Sequence, residues 1–416
     1  MIATEKILAW LMFSTISILF FGSFPGISLA AQLSALVVLV FAAALALVMG
    51  QVRRVPLGTN EWVFLALVLI SFVSSMLNDL PYSMQYTVLF AAAICAVIVL
   101  SRALSFQTIF ESTAASFAVM VCVSIVLDPV NYLVGLSAQH IKGLGLLRYT
   151  QLGLHPNLAG FIFGGGTILL WVRALQKKGL ARLAFLVLSA LSFSLVMAAS
   201  SRSGMLATVA AFTLVGLTRL FPLSRRNARL LGLALAGGGL AVVLTDLGTK
   251  AVGYLIKITD FESSTRGLGS GASGRTDLWL QGLAVIGNRD FLPAMFGSGL
   301  RSTDTDAVGF LTENAYITVL IENGLLAGGL ALVVLVLSLG LYLLRSRRGD
   351  LHDLLIAMLL CFVLIESTLN RYIFGIGNPL SLYYLFIYAA LLRHRPAFSP
   401  GALSRQRRAQ ASAATS

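Results

Sequence analysis

Six short polar segments interrupt the long apolar stretches of this sequence, and between them they carry the residue types that chemistry needs. His155-Pro156-Asn157 follows Arg148 by seven residues. Ser201-Arg202-Ser203-Gly204 forms a tight turn between two apolar runs, and Ser273-Gly274-Arg275-Thr276-Asp277-Leu278-Trp279 lies in a long hydrophilic stretch. Then come Gly297-Ser298-Gly299 with Arg301, Thr312-Glu313-Asn314-Ala315-Tyr316, and Asn370-Arg371-Tyr372 with Glu366 one helical turn deeper. A guanidinium offers a rigid fork of donors to phosphate oxygens and keeps its charge at a membrane interface. A glutamate or histidine nearby supplies a proton acceptor. Together these types suit an anionic substrate, a pyrophosphate above all, and a base-assisted transfer. Taken singly, each has a plainer role. Arginines at span ends snorkel to headgroups, His155 and Asn157 cap a helix, Glu313 is a solvated loop carboxylate, and Glu366 pairs with Arg371. The convergence of arginines and a carboxylate on one face of a charge-poor chain is what favours a site.

Composition says what must position these segments. Of the 416 residues, 57% are hydrophobic and 11% charged, against roughly 45–50% and 25% in soluble domains. A soluble fold is excluded, and at about 20 apolar residues per crossing the chain has room for roughly ten to twelve spans. A net charge of +13 in a soluble protein would suggest nucleic acid. Here Lys and Arg cluster between apolar runs, as in cytoplasmic loops, so lipids and not nucleic acid are the expected surroundings. Cys95, Cys122 and Cys361 fall far apart inside apolar runs, which supports neither disulfides nor zinc.

Apolar runs fall near 7–24, 31–49, 62–77, 86–104, 107–127, 157–175, 183–200, 203–220, 229–246, 318–344, 352–369 and 377–392. The expected fold is an all-α polytopic membrane protein of about 12 transmembrane helices. The first run follows Lys6 and is too long for a signal peptide's apolar core, so it reads as a span. One loop, 247–316, stands before the last three spans and carries an amphipathic stretch over 277–286. The first half of the tenth run, 317–329, is a candidate interfacial segment. Residues 1–392 read as a single membrane domain including that loop, and 393–416 as a basic cytoplasmic tail expected to be disordered. Ten of the 30 basic residues fall on one side: Lys142, Arg148, Arg202, Lys250, Lys257, Arg266, Arg275, Arg289, Arg301 and Arg371. The other twenty fall opposite, which makes that side and both termini cytoplasmic. Gly164-Gly165-Gly166 and Gly237-Gly238-Gly239 lie inside apolar runs, where small residues serve close helix packing. Asp304-Thr305-Asp306 suggests a metal but lacks further ligands, so neither metal nor cofactor is expected.

The order of these elements resembles the superfamily of O-antigen ligases and Wzy-type O-antigen and exopolysaccharide polymerases. The resemblance rests on His155-Pro156-Asn157, Ser201 to Gly204, Ser273 to Trp279, Gly297-Ser298-Gly299, and Glu313 to Tyr316 continuing to Glu322-Asn323-Gly324. It covers most of residues 145–345. It implies a bacterial inner-membrane glycosyltransferase of lipopolysaccharide or exopolysaccharide biosynthesis that uses an undecaprenyl-pyrophosphate-linked glycan on the periplasmic face. By this resemblance Arg202 and Arg275 grip the pyrophosphate, Glu313 takes the proton from the acceptor hydroxyl, and the anomeric carbon inverts without a metal. Arg148, His155, Asn157, Arg301, Asn314, Tyr316 and Arg371 become substrate contacts, and a chain-length regulator becomes an expected partner. Ligases of the superfamily carry histidine where Glu313 stands, which favours a polymerase over a ligase acting on the lipid A core. A secondary transporter or lipid-linked glycan flippase is the alternative of another class. It predicts charges at mid-membrane, whereas the polar residues here gather at span ends.

Overall fold

The computed structural model describes residues 2–53, 57–138, 140–141, 145–146, 148–150, 153–220, 250, 253–254, 257, 271–305, 308–346 and 350–390. Five helices come first: α1 (Ile2–Phe21), α2 (Ser28–Val48), α3 (Thr59–Leu77), α4 (Pro81–Ala103) and α5 (Phe106–Leu127). A short α6 (Pro129–Leu136) and a two-rung antiparallel ladder, β1 (His140–Ile141) against β2 (Gly145–Leu146), lead into α7 (Pro156–Gln176), α8 (Gly179–Ala198) and α9 (Arg202–Leu220). The chain is next described at α10 (Gly271–Gly287) and α11 (Phe291–Phe296), followed by a 3₁₀ turn at Ser302–Asp304. α12 (Ala315–Asn323) passes through a π-helical turn, Gly324–Gly329, into α13 (Leu330–Ser346), and α14 (Leu351–Glu366) and α15 (Pro379–Ala390) follow.

Among the described residues, seven helices are long and apolar enough to cross a membrane: α1, α2, α4, α5, α7, α8 and the continuous α12–α13. α3, α9 and α15 are shorter apolar helices. The protein is an almost entirely helical, polytopic membrane protein. Every expected apolar run except 229–246 coincides with a helix; that run, Gly237 to Gly239, residues 258–270 of the long loop and the tail 393–416 lie outside the described residues. The stretch at 317–329 is the first part of a 32-residue helix, at about 1.5 Å per residue long enough to cross and project beyond the hydrocarbon.

Local chemistry sets the helix ends. Ser105 caps α5 by accepting from the Thr108 amide at 3.0 Å, and Asp350 caps α14 through the His352 amide at 2.8 Å. Pro81 and Pro156 stand in the first turns of α4 and α7, where the missing N–H costs nothing. Within the apolar helices Thr113, Thr167 and Thr208 hydroxyls donate to the carbonyl four residues back, at 2.7–2.8 Å. Side chains that satisfy themselves on their own backbone can be buried without water.

The bundle is built around α7, which is almost wholly buried. Its Gly164-Gly165-Gly166 triplet makes this possible. A Cβ would lie 2.6 Å from Phe362 of α14 at Gly164, 2.4 Å from Leu380 of α15 at Gly165, and 2.7 Å from Phe117 of α5 at Gly166. Three neighbours thus approach one helix at three successive residues, the close packing expected of small residues in a membrane. α2 and α8 instead keep most of their surface exposed and apolar, with Leu29, Leu33, Val37 and Phe41 on α2 and Leu180, Leu183 and Val187 on α8.

Polar side chains collect at the two ends of the bundle. At one end Glu61 takes both Nε and a terminal nitrogen of Arg102, at 3.2 and 2.9 Å. Nearby Arg173 donates to Glu111 at 2.7 Å, and Gln107 meets His352 at 2.7 Å. The opposite end gathers the turn after α1, the starts of α4, α7 and α9, residues 289–305 and 308–314, and the segment between α14 and α15. All six polar segments of the sequence lie there.

Candidate functional site

Two motifs distant in sequence dock on one another to frame the site. The Ser298 and Gly299 amides donate to the Ile321 and Glu322 carbonyls at 2.9 and 2.8 Å. Gly297 (φ 79°) and Gly324 (φ 63°) occupy the left-handed region. A Cβ at either would fall within 2.4 Å of the facing backbone, so glycine is required at both. Arg289 locks the junction from outside, donating to the Ile321 carbonyl at 2.8 Å and to the Ser298 hydroxyl. Serines of α3 and α4 hold it from inside. Ser74 donates to the Gly297 carbonyl at 2.7 Å, Ser83 to the Leu300 carbonyl at 2.6 Å, and Ser71 to Asn323 Oδ1 at 2.6 Å. Sequence reading missed these serines; their only signal is the spacing Ser71, Ser74, Ser75, one face of a helix.

The loop before α12 is pinned the same way. Asn314 Oδ1 accepts from the Tyr316 and Ile317 amides at 3.0 and 3.2 Å, and its Nδ2 donates to the Thr368 carbonyl at 3.0 Å. The Ala315 amide reaches the carbonyls of Ser367 and Asn370. With both neighbours fixed, Glu313 is held at φ 49°, an uncommon backbone for a non-glycine residue and one that recurs at functional sites. Its carboxylate lies 4.0 Å from the Arg275 guanidinium, with one third of the Glu313 side chain exposed. α10 presents Arg275 because Gly282, in the same helix, lets it close on α12: a Cβ there would stand 2.6 Å from Ile317.

His155 caps α7, its Nδ1 accepting from the Asn157 amide at 3.3 Å. Burial pushes the imidazole below its usual value, Arg148 and Arg275 add to this, and Glu313 works against it. These four side chains therefore share one electrostatic neighbourhood, with His155 neutral in it. Arg148 is anchored on the C-terminal end of α8, donating to the Ala199 and Ser200 carbonyls at 2.9 and 3.3 Å, where a helix dipole favours a cation. Arg202 opens α9 beside Ser203, whose hydroxyl donates to Glu366 at 3.3 Å.

A cavity of about 340 Å³ lies beside this cluster, lined by Arg301, Arg371, Tyr372, Tyr86, Gln32 and Asn378 among others. Asp304 bridges its two arginines, 2.7 Å from Arg301 and in contact with Arg371. Asp304 thus serves as their counter-ion. Arg301 also stands over the Tyr86 ring, 5.0 Å from its centroid, a favourable cation–aromatic contact. A second cavity of about 340 Å³ shares Gln32, Tyr86 and Arg301 with the first and continues along Leu19, Leu33, Leu36, Leu39, Leu89 and Ala93. Its lining includes the exposed Leu29 and Leu33 of α2, and a shallow depression at Leu36, Val37, Val40, Phe41 and Ala92 adjoins it at Leu36. A polar, arginine-bearing vestibule thus opens into an apolar groove that reaches the lipid-facing surface.

The structure sorts eight of the ten candidate residues into three groups. Arg275, Glu313, His155 and Arg148 come together, and Arg301 with Arg371 forms a second cationic pair in the vestibule. Asn157 is half-buried in the first turn of α7, beside its cap. Asn314 and Tyr316 are engaged within the protein: Asn314 is a helix cap with no unused polar atom, and the Tyr316 hydroxyl donates to the Leu364 carbonyl. Both side chains are thus held by the surrounding backbone. The expected pairing of Glu366 with Arg371 is corrected. Arg371 binds Asp304, and Glu366 accepts from Ser203 and Asn370. Arg275 and Glu313 do not line the vestibule; Tyr372 connects the two regions, lining the cavity and lying within electrostatic reach of Glu313, Glu366 and Arg275.

No family model matches the chain, and no curated protein is significantly similar to it.

Proposed function

We propose that this protein is a membrane glycosyltransferase of the polysaccharide or O-antigen polymerase type. It joins undecaprenyl-pyrophosphate-linked oligosaccharide repeats on the periplasmic face of the bacterial inner membrane, with about twelve spans and both termini cytoplasmic. One observation carries the reading. An arginine and a carboxylate meet at 4.0 Å at the same end of the bundle as a cationic vestibule that runs into an apolar, laterally open groove. A lipid-linked pyrophosphate has these three parts in this order: an apolar tail, an anion and a reacting sugar.

In this mechanism the tail lies along Leu36, Leu39 and Leu89, and the pyrophosphate passes Arg301 and Arg371 in the vestibule to reach Arg275 beyond Tyr372. Glu313 accepts the proton of an acceptor sugar hydroxyl. The hydroxyl oxygen attacks the anomeric carbon from the face opposite the pyrophosphate, forming the new glycosidic bond and inverting that carbon. The bond from the carbon to the phosphate oxygen breaks, and the pyrophosphate leaves with the electron pair. Arg275 and Arg202 meet the negative charge that grows on it. Preorganised donors of this kind are worth about 3–4 kcal/mol each in other enzymes.

The test is the glycan profile of a strain lacking the protein. Single repeat units on the carrier, with no ladder, are the expected result. Long polymer stranded on the carrier would replace the polymerase with a ligase, and repeats accumulating on the cytoplasmic leaflet would replace it with a flippase. An unchanged profile would refute the proposal.

A further inference from the structure

Glu366 has no role in the chemistry just described, yet its surroundings are unusual. It ends α14 with a side chain that is fully buried, as is Asn370 one turn on. One carboxyl oxygen, Oε1, accepts from the Ser203 hydroxyl at 3.3 Å and from Asn370 Nδ2. Asn370 Nδ2 also donates to Ser203 Oγ at 3.0 Å, which closes a triangle of three side chains from α9, α14 and the segment beyond it. The other carboxyl oxygen, Oε2, is buried without a hydrogen-bond partner, and so is Asn370 Oδ1. Two buried acceptors in one pair of side chains therefore lack a donor. Among the described residues, no Lys, Arg or His lies within ion-pairing distance of Glu366.

An ionised carboxylate in such a place would be costly. The charged groups that act on it most strongly are Arg275 of α10, already facing Glu313, and Glu313 itself, whose negative charge disfavours a second one. The phenols of Tyr372 and Tyr384 also act on it and bring no positive charge. A proton on Oε2 removes the buried charge and supplies the donor this pocket lacks. Each partner of Glu366 is next in sequence to a candidate arginine: Ser203 follows Arg202, and Asn370 precedes Arg371.

We propose that Glu366 is held as the neutral carboxylic acid and acts as a positioning residue, pinning the turn that presents Arg202 to the turn that presents Arg371. The significance given to those arginines rests on the function proposed above; the protonated pin itself does not. The pin keeps two cationic segments of distant sequence in register without adding a negative charge beside Glu313.

The experiment uses the full-length chain in lipid nanodiscs, comparing wild type with Glu366→Gln and Glu366→Ala. In the infrared difference spectrum between wild type and Glu366→Gln at neutral pH, the expected feature is the carbonyl stretch of a protonated acid. Glutamine keeps the acceptor and supplies a donor, so Glu366→Gln should retain the wild-type unfolding midpoint and transfer within about threefold. Glu366→Ala should lower the midpoint and, because misplacement of about 1 Å can cost two orders of magnitude, reduce transfer at least tenfold. A carboxylate signature in the wild type would overturn the proposal, as would Glu366→Gln failing as badly as Glu366→Ala. A sodium-dependent rise in midpoint that Glu366→Gln abolishes would also overturn it, in favour of a carboxylate holding a cation. If the wild-type chain transfers no glycan, the proposed function fails, while the infrared band and the order of midpoints still decide the pin.

Discussion

Replacing Arg275 with alanine separates a chemical role from a structural one, because the geometry assigns the two very different sizes. In the resting protein Arg275 and Glu313 stand 4.0 Å apart, and one third of the carboxylate side chain is exposed. An ion pair with that separation and solvent access is worth about 0–1 kcal/mol. Stability should therefore fall by no more than about 1 kcal/mol. Transfer should fall much further. If Arg275 faces the charge that develops on the departing pyrophosphate, its loss removes about 3–4 kcal/mol of preferential stabilisation, or roughly 10²–10³ in rate. Lysine restores the charge without the fork, so Arg275→Lys should recover only part. The assay is single-turnover transfer by purified protein in vesicles loaded with lipid-linked oligosaccharide, with unfolding midpoints measured on the same preparations. Adding Glu313→Gln should cost little beyond the larger single effect, since groups acting in one step are not additive. A loss of transfer below about tenfold for Arg275→Ala, or a drop in midpoint large enough to explain it, would refute the reasoning.

Three further outcomes follow from local geometry. His155 titrates below its usual value in the folded protein. The unfolded chain therefore binds the proton more tightly, so stability present above the ordinary histidine range is lost as pH falls below it. His155→Gln should flatten the dependence of the unfolding midpoint on pH in that window, and an unchanged slope would remove the assignment. Gly324→Ala places a Cβ 2.3 Å from the Met295 carbonyl at φ +63° and should destabilise by at least about 1–3 kcal/mol from backbone strain alone. Gly340→Ala, with nothing within 4 Å, should be neutral or stabilising by up to about 1 kcal/mol; equal midpoints for the two would contradict the docking of the glycine motifs. Leu36→Trp, at the mouth of the groove, should raise KM for a long polyprenyl donor while sparing a short-chain analogue. A uniform effect on both donors would mean that the groove does not hold the tail.

The sequence made the helices legible because apolar run length decides them in a membrane, where every backbone group must be satisfied within its own segment. The packing role of Gly164 to Gly166 was legible for the same reason. The amphipathic stretch 277–286 marked the centre of α10, whose true start at Gly271 lies in a glycine- and serine-rich turn with no periodicity. α6 and α11 carry too few residues for a periodic signal. At the site, Asn314 before an apolar run has the local signature of an N-cap. The structure shows it in that capping role. The triangle of Ser203, Glu366 and Asn370 was not legible, since its partners are 163 and 167 residues apart and only the fold brings them together. The vestibule was hidden for a similar reason: its lining comes from the turn after α1, from α2, α4, α7 and α12, and from the segments around Arg301 and before α15.

The most direct test of a transferase centred on Arg275 and Glu313 is to supply purified protein in vesicles with undecaprenyl-pyrophosphate-linked repeats and follow the products over time. The proposed function predicts a ladder of longer lipid-linked glycans and stoichiometric release of undecaprenyl pyrophosphate, both abolished by Glu313→Gln in a chain that keeps its unfolding midpoint. A ladder of undiminished rate from Glu313→Gln, or no release of undecaprenyl pyrophosphate from the wild type, would contradict it.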